Sequence, residues 1–284
     1  MNIFRLLLIL FLLLVSGCSS VNQPIVDDTS QMERTNSPVP TKPLVLPSVT
    51  TTSQPTIMVV PTELPIQSCS PLKEFSNDEL IGMISNPFNP PVQGSDDPHQ
   101  GVDFSVIDPT LGYAVKGAPI QTILGGDVVM VMNDRFPYGN SLLIETSYQQ
   151  LPSGWMNHLN NRPMPALFDN SPNLTCPADW DDEPLQDEQL SLFILYAHLA
   201  NPSSLTIGQK VTCGEEIGEI GDSGNALAPH LHIEMRYGFS SDIIDSMAHY
   251  DVSASEDEMS NYCRWRVSGW YHLVDPTELI FDNP

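Results

Sequence analysis

The stretch APHLHIEMR (residues 228–236) sets His230, His232 and Glu234 at alternate positions. On a β-strand alternate residues share a face. These three polar groups therefore point one way, and Leu231, Ile233 and Met235 the other. The apolar set can pack into a core while the polar set lines a groove. The same run also suits a half-buried strand with two surface histidines, so its neighbours must decide. HQGVDF (99–104) offers His99 and Asp103, four apart, in a loop entering a strand. An imidazole and a carboxylate are suitable zinc ligands. LYAHL (195–199) offers His198. In an extended strand Ile194, Tyr196 and His198 share a face opposite Phe193, Leu195, Ala197 and Leu199. His158, His249 and His272 lie outside such patterns and read as structural or exposed.

The elements that must carry these residues are mostly strands. Short apolar or alternating runs recur at 119–132, 140–148 and 190–199, and around His230. Gly125-Gly126, Pro137-Tyr138-Gly139-Asn140 and Gly221-Asp222-Ser223-Gly224 separate them, which favours hairpins over helices. A short helix is predicted over 77–84, capped by Ser76 or Asn77. There is no internal repeat.

The order HxxxD, then YxHL, then a Gly/Ser-rich turn into PHLH resembles the lysostaphin/LytM family of zinc metallopeptidases, which cleave peptide cross-links or stems of peptidoglycan. Ala118-Pro119-Ile120, Gly126-Asp127-Val128-Val129, Tyr138-Gly139-Asn140, Ile207–Val211, Gly214–Gly221 and Val274-Asp275-Pro276 extend the likeness. It covers roughly 98–236 with a break, plus 272–280. The resemblance implies a mainly β fold, an antiparallel sheet or sandwich with a narrow zinc groove and few short helices. It implies one Zn2+ held by His99, Asp103 and His232, with the fourth position left for water. It makes His198 and His230 catalytic. Glu234, one step further on the His232 face, reads as a support to the site or as merely exposed, with a structural role favoured.

The chain departs from the family pattern in three places. Ala228 stands where the family usually has Gly before PHLH. Insertions occupy about 149–190 and 237–271, and such long segments either select substrate or plug the groove. The competing reading is a non-cleaving cell-wall-binding regulator of other wall hydrolases. A lipoprotein tether with a purely structural zinc would call for four protein ligands, and only three stand in motif positions.

The first 17 residues have one positive charge, Arg5, followed by the apolar run Leu6–Val15, and read as a signal peptide. Val15-Ser16-Gly17 before Cys18 resembles a bacterial lipobox. That implies lipidation at Cys18 and an exported lipoprotein anchored to the cell membrane or outer membrane, facing the wall. Residues 19–68 carry 8 Pro and 15 Ser or Thr, the composition of a disordered tether. The domain is thus expected over 69–284. There, 8 Lys+Arg stand against 31 Asp+Glu, a net charge of −23. This argues against nucleic acid or anionic lipid headgroups as partners of the folded part; peptidoglycan is the partner that the resemblance implies. The acidic runs 179–189 and 255–258 read as solvated surface. Cys69, Cys176, Cys213 and Cys263 are dispersed, without CxxC, so two disulfides stapling the inserted loops to the core are expected, with the pairing open.

Overall fold

The structure, a computed structural model, describes residues 67–168, 172–178, 180, 189–240 and 244–281. The expectations for the signal peptide, for Cys18 and for almost all of the tether lie outside these residues, as does most of the acidic run 179–189.

Ten strands and four α-helices follow in the order α1 (Asn77–Leu80), β1 (Ile84–Asn86), β2 (Val102–Phe104), β3 (Pro119–Gln121), β4 (Gly126–Arg135), β5 (Gly139–Ser147), α2 (Ser153–Leu159), β6 (Leu190–Ala197), β7 (Lys210–Val211), β8 (Glu216–Glu219), β9 (Leu231–Phe239), α3 (Glu256–Val267), β10 (Tyr271–Val274) and α4 (Pro276–Ile280). Eight strands form one antiparallel sheet, ordered β1-β2-β9-β6-β5-β4-β7, with β10 also paired to β9; β3 and β8 form a small second sheet. The mainly β architecture expected from the punctuated apolar runs is the one observed.

Strands β6 and β9 are buried along almost their whole length. The reason is that both faces of the sheet are covered. One face packs Leu192, Ile194, Tyr196, Leu231, Ile233 and Met235 against the small sheet and α4. The other packs Phe193, Leu195 and Ala197 against Ile244, Met247, Tyr262 and Trp265, which come from the second insertion. A strand covered on both sides reads as a continuous apolar run, as LSLFILYA does.

The second insertion is shorter than the predicted 237–271, because β9 runs to Phe239 and β10 starts at Tyr271. Its core is α3, which was not predicted. The run SEDE (255–258), expected to be solvated surface, is the start of that helix. Ser255 Oγ accepts from the Glu258 backbone N–H, and Glu258 accepts in return from the Ser255 backbone N–H (3.0 Å). This is a reciprocal cap, and the acidic first turn suits the positive end of the helix dipole. The same logic holds at the predicted helix of 77–84. There Ser76 is the cap residue, its N–H donating to Glu79, and the helix tightens into a 3-10 turn at Ile81–Met83.

Both expected disulfides are present, as Cys69–Cys213 and Cys176–Cys263. Their placing differs from the expectation. Cys176–Cys263 joins the two insertions to each other, and Cys69–Cys213 ties the start of the domain to the β7–β8 loop.

Candidate metal centre and catalytic groove

Strand register builds the first part of the site. Asp103 on β2 is paired directly with His232 on β9. Their side chains therefore share a face, and Asp103 Oδ1 lies 2.8 Å from His232 Nδ1. His99, four residues before Asp103, brings Nε2 to 3.2 Å from the same oxygen and 3.3 Å from His232 Nδ1. The close approach requires Gly101: a Cβ there would meet His232 Cε1 and the Ile233 carbonyl at 2.5 Å.

The other atom of each of these side chains is engaged elsewhere. His99 Nδ1 lies 3.0 Å from the Pro87 carbonyl, which fixes the tautomer that leaves Nε2 free. Asp103 Oδ2 accepts from Asn86. His232 Nε2 is buried without a hydrogen bond and faces Glu234 Oε2 at 3.7 Å. One ligand atom from each residue thus converges within 4.8 Å of the others, a donor set of two imidazoles and one carboxylate. That chemistry fits Zn2+, and carboxylate or carbonyl partners behind metal-binding histidines are the usual way such ligands are oriented.

His198 reaches the site against the alternation. Extended geometry would put it on the Tyr196 face, away from His232. Instead β6 ends at Ala197, and His198 has φ 62°, a left-handed conformation that re-aims its side chain. The imidazole ends with its ring centre 4.6 Å from that of His230 and 5.8 Å from that of His232. Its backbone N–H donates to the Tyr138 carbonyl, and its Nδ1 lies 2.8 Å from the Ser223 carbonyl. The two turns that supply those carbonyls meet through glycines. Gly139 and Gly224 both have positive φ, and a Cβ on Gly224 would sit 2.4 Å from the Gly139 nitrogen. His230, just before β9, is fixed through Nδ1 to the Ala228 carbonyl at 2.8 Å, and its Nε2 lies 3.6 Å from Asp103 Oδ1. Both histidines therefore present Nε2 to the site.

The electrostatics divide these groups. Burial would raise the Asp103 carboxyl, but hydrogen bonds from His232 and His99 outweigh it and hold the group well below the ordinary carboxylate range. Burial would lower His232, but Asp103 and Glu234 outweigh it and push it up to about 9. The site thus favours positive charge at this spot. Burial lowers His198 to about 3, helped by repulsion from His232 and His230, so it is a neutral imidazole at neutral pH.

Glu234 is not exposed. It is fully buried, accepting from Arg236 Nε (2.6 Å), Arg266 Nη1 (2.9 Å) and the Tyr138 hydroxyl (2.9 Å). Burial alone would raise this carboxyl; the two guanidiniums outweigh it and hold the group ionised. The remaining histidines are structural: His158 pairs with Glu278, His249 with the Thr175 carbonyl and His272 with the Met164 carbonyl. All five site residues lie on a groove of about 640 Å³, which Tyr250, Tyr262 and Arg266 of the second insertion also line. Among the described residues of 149–190, none lines it.

Residues 186–245 match the family model described as Peptidase family M23. Over those residues the chain is similar to peptidase family M23. Solved structures that resemble this chain include the catalytic domain of the antimicrobial peptidase lysostaphin from Staphylococcus simulans. It is 19% identical, covering 59% of this chain and 90% of that one, with a TM-score of 0.34. A mutant catalytic domain of the prophage-encoded M23 protein EnpA from Enterococcus faecalis is 17% identical, covering 57% and 83%, with a TM-score of 0.32. A zinc containing peptidase from Vibrio cholerae is 20% identical over 61% of this chain but only 36% of that one, with a TM-score of 0.33. No curated protein matches the chain in sequence. Sequence reasoning missed Asn86, Tyr138, Asp96 and Arg266 in this site. Only Tyr138 stood in a recognised motif, the YGN turn, and nothing local to Arg266 marks it.

Proposed function

We propose that this chain is a zinc metalloendopeptidase that hydrolyses peptide bonds in peptidoglycan cross-links or stems, held to a membrane through a lipid on Cys18. The observation that carries the reading is the convergence of five residues from three separate segments: the candidate ligand set His99, Asp103 and His232, flanked by His198 and His230. A bound zinc ion would supply Lewis acidity and an activated water. His198, neutral and with Nε2 unencumbered, accepts the proton of the attacking water. His230 places Nε2 beside the same position, where its imidazolium form would hydrogen-bond the carbonyl oxygen of the scissile bond as it gains charge. The Ser223 carbonyl holds His198 in the tautomer that leaves Nε2 free to accept, and the Ala228 carbonyl fixes the orientation of the His230 ring.

The test is incubation with purified peptidoglycan sacculi, with and without a chelator, followed by mass spectrometry of released muropeptides. Chelator-sensitive products are expected, and their masses identify the bond. Protein loaded with one equivalent of zinc that releases nothing would overturn the peptidase reading in favour of a non-cleaving wall-binding regulator.

A further inference from the structure

A buried charge cluster behind the ligands takes no part in that chemistry. It contains two carboxylates, Asp96 and Glu234, and two guanidiniums, Arg236 and Arg266. Arg266 sits at its centre. Its Nε donates to Asp96 Oδ1 (2.5 Å), Nη2 to the Asp96 carbonyl (3.0 Å), and Nη1 to Glu234 Oε2 (2.9 Å) and the Tyr138 hydroxyl (3.2 Å). Tyr250 and Tyr262, from the same insertion, donate their hydroxyls to Asp96 Oδ2.

The two anchored carboxylates are not arbitrary places. Asp96 lies three residues before His99. Glu234 lies two residues after His232 on β9 and faces its Nε2 at 3.7 Å. Near the site these two segments are also joined by the short β2–β9 pairing, Val102–Phe104 against Leu231–Ile233, and by Arg236 of β9, whose guanidinium donates to Gln100 Oε1. We propose that Arg266, carried on insertion helix α3, is a positioning residue that clamps the loop leading to His99 to the strand carrying His232, and so sets the spacing of the metal ligands. The inference rests on the metal-site reading above.

The chemistry suits arginine in particular. Three nitrogens of one planar fork reach four acceptor atoms on three residues, which a lysine ammonium cannot reproduce. Removing the cation altogether would leave two buried carboxylates short of a partner, a strongly destabilising change. Lysine keeps the charge and loses the fork, and is therefore the informative substitution.

The same helix provides a control. At its first turn Glu258 is tied to β4 by Arg135 at 2.5 Å, a contact that touches no ligand-bearing segment. Arg135→Lys loosens α3 without touching the clamp. The experiment measures Zn2+ affinity of the full chain by competition with a chromophoric chelator, together with thermal unfolding, for wild type, Arg266→Lys, Arg135→Lys and Tyr262→Phe. Arg266→Lys is expected to bind Zn2+ on the order of 10–100-fold more weakly, as loss of a partner behind a metal ligand does. Arg135→Lys is expected to keep wild-type affinity even where it lowers the unfolding temperature. Tyr262→Phe, which removes one donor to Asp96, is expected to give a smaller loss in the same direction and serves where Arg266→Lys does not fold. Unchanged affinity in both clamp variants, or an equal loss in Arg135→Lys, would overturn the clamp while leaving the peptidase reading intact. A wild-type chain that takes up no Zn2+ would overturn both.

Discussion

Strand β9 and the insertion that follows it meet the site in opposite ways. In β9, HLHIEMRYG alternates polar and apolar residues, and each set has its own destination: Leu231, Ile233, Met235 and Tyr237 enter the core with β6, while His232, Glu234 and Arg236 form the polar face. Cross-strand register does the placing, so one hydrogen-bonded pairing puts Asp103 opposite His232. The insertion has no such register. Its helix is placed by side-chain packing of Trp265, Tyr262 and Cys263 and by the ion pairs of Arg266 and Glu258. The difference separates two tasks. Backbone pairing supplies ligand geometry, and side-chain packing over the sheet buries and braces it.

The largest effects should fall on the strand side. His232→Ala is expected to lose both zinc and hydrolysis. His198→Ala is expected to keep zinc and lose about 100- to 10,000-fold in kcat, the usual contribution of a general acid or base. Zinc analysis and muropeptide release on the same samples separate the two, and equal zinc loss in both variants would refute the division of roles.

The next effect tests whether the insertion is part of the fold. Trp265 is 1% exposed and packs its ring against Phe193 and Tyr271, with the Arg236 guanidinium 5.0 Å from its centre. Trp265→Ala should destabilise by about 3–5 kcal/mol in chemical denaturation, as loss of a buried tryptophan does. An appended, peripheral insertion would show under about 1 kcal/mol, within the range of substitutions outside the core.

The smallest effect is a pH dependence, and it sharpens the contrast by isolating one re-aimed histidine. His198 is held neutral down to about 3 in the folded state, whereas in an unfolded chain it protonates near 6.5. Below that pH the unfolded state binds a proton that the folded state refuses, so stability falls as pH drops from about 6.5 toward 3. Between pH 7 and 5 the metal-free protein should lose about 2 kcal/mol from this residue. His198→Gln should lack that increment, and identical pH slopes in urea unfolding would show that His198 is not buried neutral.

The strands, the short helix at Ser76, and the chemistry-bearing residues His99, Asp103, His198, His230 and His232 were legible because each rests on a local pattern: alternation, turn residues, a cap, a fixed spacing. The helix over 256–267 was missed although Ser255-Glu256-Asp257-Glu258 is a capping signal, because an acidic run also fits solvated surface and the helix lacks a strong apolar stripe. Alternation placed Glu234 on the correct face, but its full burial was not legible, because alternation does not tell whether another element covers that face. His198 was misplaced on its strand because one left-handed residue breaks the period on which the reading depends.

By itself, the sequence determined the ligand types, their spacing along the chain, the β-rich class and the family likeness, since all of these depend on residues close in sequence or on short motifs in a fixed order. Tertiary structure alone decided which cysteines pair, that the second insertion and not the described part of the first lines the groove, and that Arg266 links Asp96 to Glu234 across 32 residues on one side and 170 on the other. Those contacts join segments far apart in the chain, and no local propensity encodes them; they form only when packing over the sheet brings the segments together.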